Sequence, residues 1–186
     1  MCTENEEGKK VEYRVAKKSD IDDVFTLIKA AIVQMEADGI YQWDAMYPTK
    51  VDFMNDIENE SLFLAMDDAK LAAIYVISKE SDPAYQSAKW QYGDESAYIL
   101  HRFCVSPYYQ NKGIGKEVLA HIEGQIHEMG YESVRLDVFT ENPYAQKLYR
   151  NSGYRVTGYA DWRKDRFDLM EKKLETDKYA WYYSEA

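Results

Sequence analysis

The chain has 186 residues, of which 46% are hydrophobic and 15% aromatic, and it carries a formal net charge of −10. This length and composition suit one folded domain with its own core and exclude an intrinsically disordered chain. The acidic charge argues against DNA or RNA as a partner, because contacts to phosphates supply most of the non-specific affinity for nucleic acids.

The predicted domain spans residues 11–174, after a disordered N-terminus at 1–10. Alternating apolar residues predict strands, and apolar residues at every third or fourth position predict helices. Caps mark the helix ends, among them Ser19, Gly39, Gly130 and Asn142. In chain order the strands are predicted at 11–15, 62–66, 71–78, 97–105, 133–139, 154–159 and 166–174, and the helices within 19–39, 50–59, 113–129 and 142–153.

Three segments fall outside these elements. Residues 39–48 form an aromatic connection, and residues 79–96 form a long polar loop that we interpret as a lid or a partner-binding loop. The tail at 175–186 is too aromatic for a free terminus, so we expect it to pack on its own domain or across a homodimer.

Cysteine content and apolar runs bear on the location of the protein. Cys2 and Cys104 provide no disulfide framework. No apolar run approaches the roughly 20 residues of a membrane span, and the acidic N-terminus is unlike a signal peptide. We therefore expect a cytoplasmic protein with no membrane partner.

A glycine-rich run lies between the predicted strand at 97–105 and the helix that follows it, with the sequence Gln110-Asn111-Lys112-Gly113-Ile114-Gly115-Lys116. The unpaired N–H groups of such a turn and of the first helical turn point at one spot, where the helix dipole also favours an anion. The run therefore predicts a phosphate site that an acidic protein can build from its main chain.

Two other phosphate motifs do not fit this run. A nucleotide-triphosphate P-loop needs Gly at the position of Gln110 and a hydroxyl residue at the position of Glu117. A dinucleotide fingerprint needs a third Gly where Val118 stands.

The remaining pattern, Gln-x-x-Gly-x-Gly, resembles the acetyl-CoA-binding motif of the GNAT superfamily of N-acetyltransferases over residues 100–119. Residues 142–154 resemble the same family's Asn-x-x-Ala-x-x-Leu-Tyr-x-x-x-Gly-Phe/Tyr signature. The resemblance is close over about residues 97–174 and weaker over 11–78. It implies an α/β GNAT fold, with a central mixed and mostly antiparallel sheet that is splayed between the 97–105 and 133–139 strands and flanked by about four helices.

The resemblance implies acetyl transfer from acetyl-CoA to a primary amine by direct attack in a ternary complex. The net charge of −10 would attract cationic amines, so we expect a small cationic molecule as the acceptor. One alternative is a protein acetyltransferase that modifies a lysine or a chain terminus, and another is a non-catalytic CoA-binding sensor or interaction module. The cofactor is expected along the 97–105 strand and at the glycine-rich run, with the N–H of Val105 aimed at the thioester oxygen. The implied cofactor residues are Phe103, Cys104, Val105, Gln110, Asn111, Lys112, Gly113, Ile114, Gly115, Lys116, Asn142 and Lys147.

Two side chains are candidates for proton transfer, and no metal is predicted. Tyr149 occupies the family's tyrosine position, and a phenol with a pKa near 10 can protonate a departing thiolate. The alternative is a core aromatic residue. His101 lies in the strand from which the family often draws its base, and its ordinary pKa near 6.5 suits that task. The alternative is a histidine that is merely packed.

Residues 39–48 resemble a Gln-Trp…Tyr-Pro segment of many bacterial GNAT proteins, and in that fold the segment borders the acceptor pocket. Tyr41, Trp43 and Tyr47 are expected to stack on a cationic amine, with Asp38 or Asp44 paired to its charge. The alternative is a hydrophobic plug that anchors the connection.

Overall fold

A computed structural model describes residues 11–175, so the N-terminus predicted to be disordered and the tail from residue 176 onward lie outside the described residues. The helices and strands are β1 (Glu12–Val15), α1 (Ile21–Ala37), α2 (Lys50–Glu58), β2 (Leu62–Asp67), β3 (Lys70–Ser78), β4 (Ala97–Val105), α3 (Ile114–Glu128), β5 (Ser133–Phe139), α4 (Pro143–Asn151), β6 (Arg155–Trp162) and β7 (Asp165–Lys173). Within residues 11–175, no helix has both the length and the apolar character to cross a membrane.

All seven strands belong to one sheet with the order β1-β2-β3-β4-β5-β7-β6. The β4–β5 pair is parallel, and every other neighbouring pair is antiparallel. The predicted α/β fold, with a mixed and mostly antiparallel sheet and four helices, is therefore confirmed.

The parallel pair β4–β5 is short. It runs only from Ala97–Ser133 to Leu100–Leu136, although both strands continue beyond that point. Next to this end, β4 contains a bulge at which Arg102 adopts a positive φ of 46° and the register with β3 shifts. Bulges bend and twist a strand, so the second half of β4 turns away from β5 as the predicted splay requires.

The helices cover the two faces of the sheet in pairs. Helices α3 and α4 pack on one face, where Leu100, Val118 and Leu136 belong to the buried core. Helices α1 and α2 pack on the other face, around Phe53 and Ile74. The glycine-rich run and the tyrosine of α4 are therefore held on the same side of the sheet.

Two local predictions differ from the structure. Ser19 does not cap α1, because Lys18–Asp20 form a short 3₁₀ turn and α1 begins at Ile21. Asp20 organises this entry, since its carboxylate accepts the Lys17 N–H at 2.7 Å and pairs with Arg14 at 2.8 Å. The 79–96 segment is also more ordered than a plain loop, since it contains two 3₁₀ turns, Pro83–Ser87 and Asp94–Ser96.

A buried ion pair joins α3 to β7. The Lys172 ammonium lies 2.5 Å from a carboxylate oxygen of Glu123, and both side chains are less than a tenth exposed. We expect Glu123→Ala to lower the free energy of unfolding by about 3 kcal/mol, because it leaves the Lys172 charge buried without its partner. Urea denaturation measures this loss.

The double variant Glu123→Leu with Lys172→Met is the matched control. It removes both charges, so it should recover most of the lost stability. The free energy of unfolding lost in the double variant is compared with the sum of the losses in Glu123→Leu and Lys172→Met alone. If the two are equal, the loss does not come from the ion pair.

Candidate active site

The glycine-rich run presents a row of unpaired main-chain donors. None of the described residues accepts a hydrogen bond from the N–H groups of residues 111–115. Asn111 and Gly113 adopt positive φ angles of 59° and 83°, which turn successive N–H groups to one side. Because α3 begins at Ile114, its dipole adds positive potential at the same place. The turn can therefore bind an anion such as a phosphate.

The side chains of the run mostly turn back on the protein. The Lys112 ammonium donates to the carbonyl of Tyr108 at 2.8 Å, and the Gln110 amide makes a long contact to the carbonyl of Val105 at 3.4 Å. A Cβ added at Gly115 would come within 3.6 Å of Val105 and 3.7 Å of Leu148, so the main chain here lies close to both β4 and α4. The main chain rather than these side chains faces the anion position.

The main chain of β4 beside the turn faces the gap left by β5. Ser106 donates its N–H to the carbonyl of Ala72 at 2.8 Å, which marks these two residues as a hydrogen-bonded pair. Antiparallel pairs alternate, so Val105 opposite Ala73 has its N–H and C=O directed away from β3. This orientation supports the predicted role of the Val105 N–H.

The side chains of Phe103 and Cys104 have structural surroundings. Phe103 packs against the core under α3, and Cys104 is buried in the core under α1 and α2. Burial raises the pKa of the Cys104 thiol to about 12, so it is not a thiolate at neutral pH.

Tyr149 lies on α4, and Asn142 is the N-cap of this helix. The Asn142 side chain accepts the N–H of Ala145 at 3.1 Å, as predicted for an N-cap, and it donates to the side chain of Gln42 at 3.0 Å. Tyr149 is only 7% exposed, and its ring meets that of Tyr154 edge to face. Burial first, and then the nearby charge of Asp137, raise the pKa of Tyr149 above its ordinary value.

Asp137 is a site residue that the sequence reasoning missed. It is the first residue of β5 beyond the last pair with β4, Leu100–Leu136, and its carboxylate accepts the Tyr85 hydroxyl at 2.8 Å. Burial raises the pKa of Asp137, while the Tyr85 hydrogen bond and Arg102 oppose that shift. The available signal was a lone carboxylate between the apolar residues Leu136 and Val138 of the strand.

A cleft of about 600 Å³ opens beside the β4 bulge. His101 and Arg102 line it from β4, and Asp56 lines it from α2. Burial first, and then Arg102, lower the pKa of His101 to about 4, so its imidazole is neutral at neutral pH. Burial raises the pKa of Asp56 to about 6, although Arg102 lies 3.5 Å away. Sequence reasoning also missed Asp56 and Arg102 because nothing local relates them.

The aromatic connection at 39–48 splits into core and surface residues. Trp43 is 8% exposed and packs with the core under α1 and α2, which favours the hydrophobic-plug interpretation for this residue. Tyr41 is 59% exposed, and the ring of Tyr47 lies against the guanidinium of Arg102. Of the predicted aromatic set, Tyr47 alone lines the cleft.

The carboxylate of Asp44 is already paired, contrary to its expected role as a partner of the acceptor. Arg163 lies 2.9 Å from it and Lys164 lies 2.6 Å from it, both in the turn between β6 and β7.

Among residues 11–175, no group of three or more His, Cys, Asp or Glu side chains could hold a metal ion.

Comparison with known proteins agrees with this geometry. The sequence profile described as the acetyltransferase (GNAT) family matches residues 26–154. The chain is 25% identical over 160 residues to the uncharacterized N-acetyltransferase YesJ of Bacillus subtilis strain 168, covering 85% of this chain and 87% of that protein. It is also 32% identical over 77 residues to a probable spermine N(1)-acetyltransferase of Bacillus subtilis subsp. natto, covering 40% of this chain and 49% of that protein.

A solved structure of the PaiA N-acetyltransferase from Thermoplasma acidophilum, in complex with coenzyme A, superposes with a TM-score of 0.66. The two proteins are 20% identical, and the match covers 88% of this chain and 99% of the other. Because the family profile spans more than half of its length, the chain belongs to the GNAT family of acetyltransferases.

Proposed function

We propose that the chain transfers an acetyl group from acetyl-CoA to the primary amine of a small cationic molecule, by direct attack in a ternary complex. The observation that carries this proposal is the parting of β4 from β5 after Leu100. The freed half of β4 leads into the anion-binding turn at its end and borders the acidic cleft through Arg102 near its bulge.

Acetyl-CoA would supply an activated thioester. Its diphosphate suits the unpaired N–H groups of residues 111–115, and its arm suits the outward-facing main chain of Val105. The Thermoplasma acidophilum protein in complex with coenzyme A supports this choice of donor. The residues proposed to hold it are Val105, Gln110, Asn111, Lys112, Gly113, Ile114, Gly115, Lys116, Asn142 and Lys147. Phe103 and Cys104, also expected there from the sequence, pack into the cores on either face of the sheet and are proposed only to support the strand beside it.

Tyr149 is the proposed proton donor to the departing sulfur. Its pKa lies above the ordinary value of a phenol, so the hydroxyl carries its proton at neutral pH. His101 has a pKa of about 4, which makes it a weak acceptor for the proton of an alkylammonium. We therefore propose that His101 shapes the cleft.

The charge of the cleft supports a cationic acceptor. Four carboxylates line it, and the two basic side chains of the lining are engaged, since Lys79 donates to the carbonyl of Asp94 and Arg102 lies against Asp56. The carboxylates are those of Asp56, Glu60, Glu80 and Asp82. The relative described as a probable spermine N(1)-acetyltransferase agrees with a small amine of this kind.

Contacts of the 39–48 connection with the rest of the fold favour a small acceptor over a polypeptide. The 39–48 connection is fastened to the β6–β7 turn by Asp44 and to α4 by Gln42. Ile40 of the same connection packs on Phe139 at the end of β5. An extended peptide would have to displace these contacts.

Tyr149→Phe tests the proton donor. We expect kcat to fall by about 100-fold, because the leaving sulfur loses its positioned acid, while the affinity for coenzyme A stays the same. Thiol release measures kcat, and calorimetry measures binding. Tyr159→Phe is the matched control, since it removes a hydroxyl from an exposed position on β6. An unchanged kcat in Tyr149→Phe would remove this role.

A panel of amines tests the acceptor class. With saturating acetyl-CoA, we expect the highest kcat/KM for small diamines and triamines, lower values for neutral amines, and a decline as salt screens the acidic cleft. Thiol release and mass spectrometry of the product are the measurements. Preference for a lysine peptide would favour a protein acetyltransferase, and coenzyme A binding without transfer to any amine would favour a sensor.

A further inference from the structure

The 79–96 segment is fastened across the sheet. The Lys89 N–H donates to the carbonyl of Thr157 at 2.9 Å, and the Gln91 N–H donates to the carboxylate of Glu171 at 2.7 Å. Ala88 lies so close to Gly158 that a Cβ there would come within 2.8 Å of the Ala88 Cα. These contacts, which we call the seat of the segment, attach it to β6 and β7, and a lid would have to break them to open.

A buried arginine completes the seat. Arg135 of β5 is 5% exposed and lies 3.1 Å from Glu171 of β7 and 2.6 Å from Asp94 in the segment. It also donates to the carbonyl of Tyr92, and its guanidinium lies over the ring of Trp90. One cation thus joins two strands to the end of the segment.

The seat positions the Tyr85 hydroxyl against Asp137. Tyr85 is 4% exposed, and its main-chain carbonyl accepts the indole N–H of Trp90 at 2.8 Å, so both its ring and its backbone are held. Its hydroxyl then donates to one oxygen of Asp137 at 2.8 Å. Apart from the main-chain N–H of Asp137 itself, no other described residue donates a hydrogen bond to that carboxylate. Asp137 is partly buried, and its second oxygen accepts no hydrogen bond from another described residue.

The groups that act on the charge of Asp137, or respond to it, come from four parts of the chain. They are Arg102 of β4, Tyr47 of the 39–48 connection, Tyr149 of α4, and Asp82 and Tyr85 of the 79–96 segment. The proposed proton donor therefore lies close enough to this carboxylate for the pKa of Tyr149 to respond to its charge.

We propose that Asp137 is the catalytic residue that binds the acceptor ammonium and removes its proton, and that Tyr85 is a positioning residue that holds this carboxylate. The inference rests on the proposed acetyl transfer. The N–H bond of the ammonium breaks and an O–H bond forms on Asp137, which leaves the nitrogen lone pair free for the new C–N bond. The C–S bond breaks and sulfur receives the proton of Tyr149. The nitrogen, now bonded to the acetyl carbon, gives up its second proton, which restores the Tyr149 hydroxyl, and the proton on Asp137 passes to water.

Asp137→Asn tests the base. The variant keeps an oxygen that can accept the Tyr85 hydroxyl but cannot take a proton, so kcat/KM should fall at least about 100-fold with unchanged affinity for coenzyme A. Loss of less than about threefold would overturn the assignment. Folding is checked by thermal denaturation, and the raised pKa of Asp137 predicts that the variant gains stability relative to the parent as pH rises from 4 to 8.

Tyr85→Phe tests the positioning role with a readout that needs no catalysis. Removing a donor from the charged carboxylate raises its pKa, so the ¹³C carboxyl titration of Asp137 in the ligand-free protein should move to higher pH. The acidic limb of the kcat/KM profile should move in the same direction. Tyr92→Phe, in the same segment, is the matched control and should change neither. An unmoved titration in Tyr85→Phe would overturn the role.

Gly158→Ala tests the seat from a distance, because its new Cβ pushes the backbone at Ala88. We expect the Asp137 titration to shift as in Tyr85→Phe, and the double variant Gly158→Ala with Tyr85→Phe should show little further shift. Fully additive shifts in the double variant would show that the seat does not act through Tyr85.

If the parent protein acetylates no amine, the proposed function fails. The titrations of Asp137 still decide whether the segment positions this carboxylate.

Discussion

The loss of pairing between β4 and β5 after Leu100–Leu136 is the constraint on which the rest of this structure depends. Two parallel strands in the middle of a sheet normally satisfy each other's main-chain groups along their whole length. Here the bulge at Arg102 bends β4 away, and the outward-facing N–H of Val105 needs another partner, while its C=O makes a long contact with the Gln110 amide. A ligand with amide groups and a thioester can be that partner, so the defect in the sheet is also the place of the chemistry.

The distribution of charge follows from this arrangement. An acidic chain can bind an anion at the start of α3 because the binding groups are main-chain dipoles, which add nothing to the net charge. The carboxylates are then free to line the other side of the gap, where Asp56 and Asp137 lie. Anionic donor and cationic acceptor can therefore approach the same strand from different sides without competing for the same charges.

The 79–96 segment links this gap to the far edge of the sheet. The segment is attached by the buried Arg135 and by the close approach of Ala88 to Gly158. This attachment places the Tyr85 hydroxyl on Asp137. A polar stretch of this length is usually mobile and variable. In this chain its first residues line the cleft and Tyr85 contacts Asp137, although the segment lies far from the motifs in sequence.

Local patterns in the chain were sufficient to predict the order of the elements, the anion-binding turn and the cap at Asn142, because caps, glycine positions and apolar alternation act within a few residues. They wrongly predicted Ser19 as the cap of α1, because the contacts of Asp20 set the start of that helix. They also suggested Asp44 as a partner of the acceptor, although its carboxylate is paired with Arg163. The contact between Tyr85 and Asp137 joins residues 52 positions apart. No local signal relates such residues, since their proximity results from the packing of a whole segment on three strands, and it is the folded sheet that turns an unremarked aspartate into part of the site.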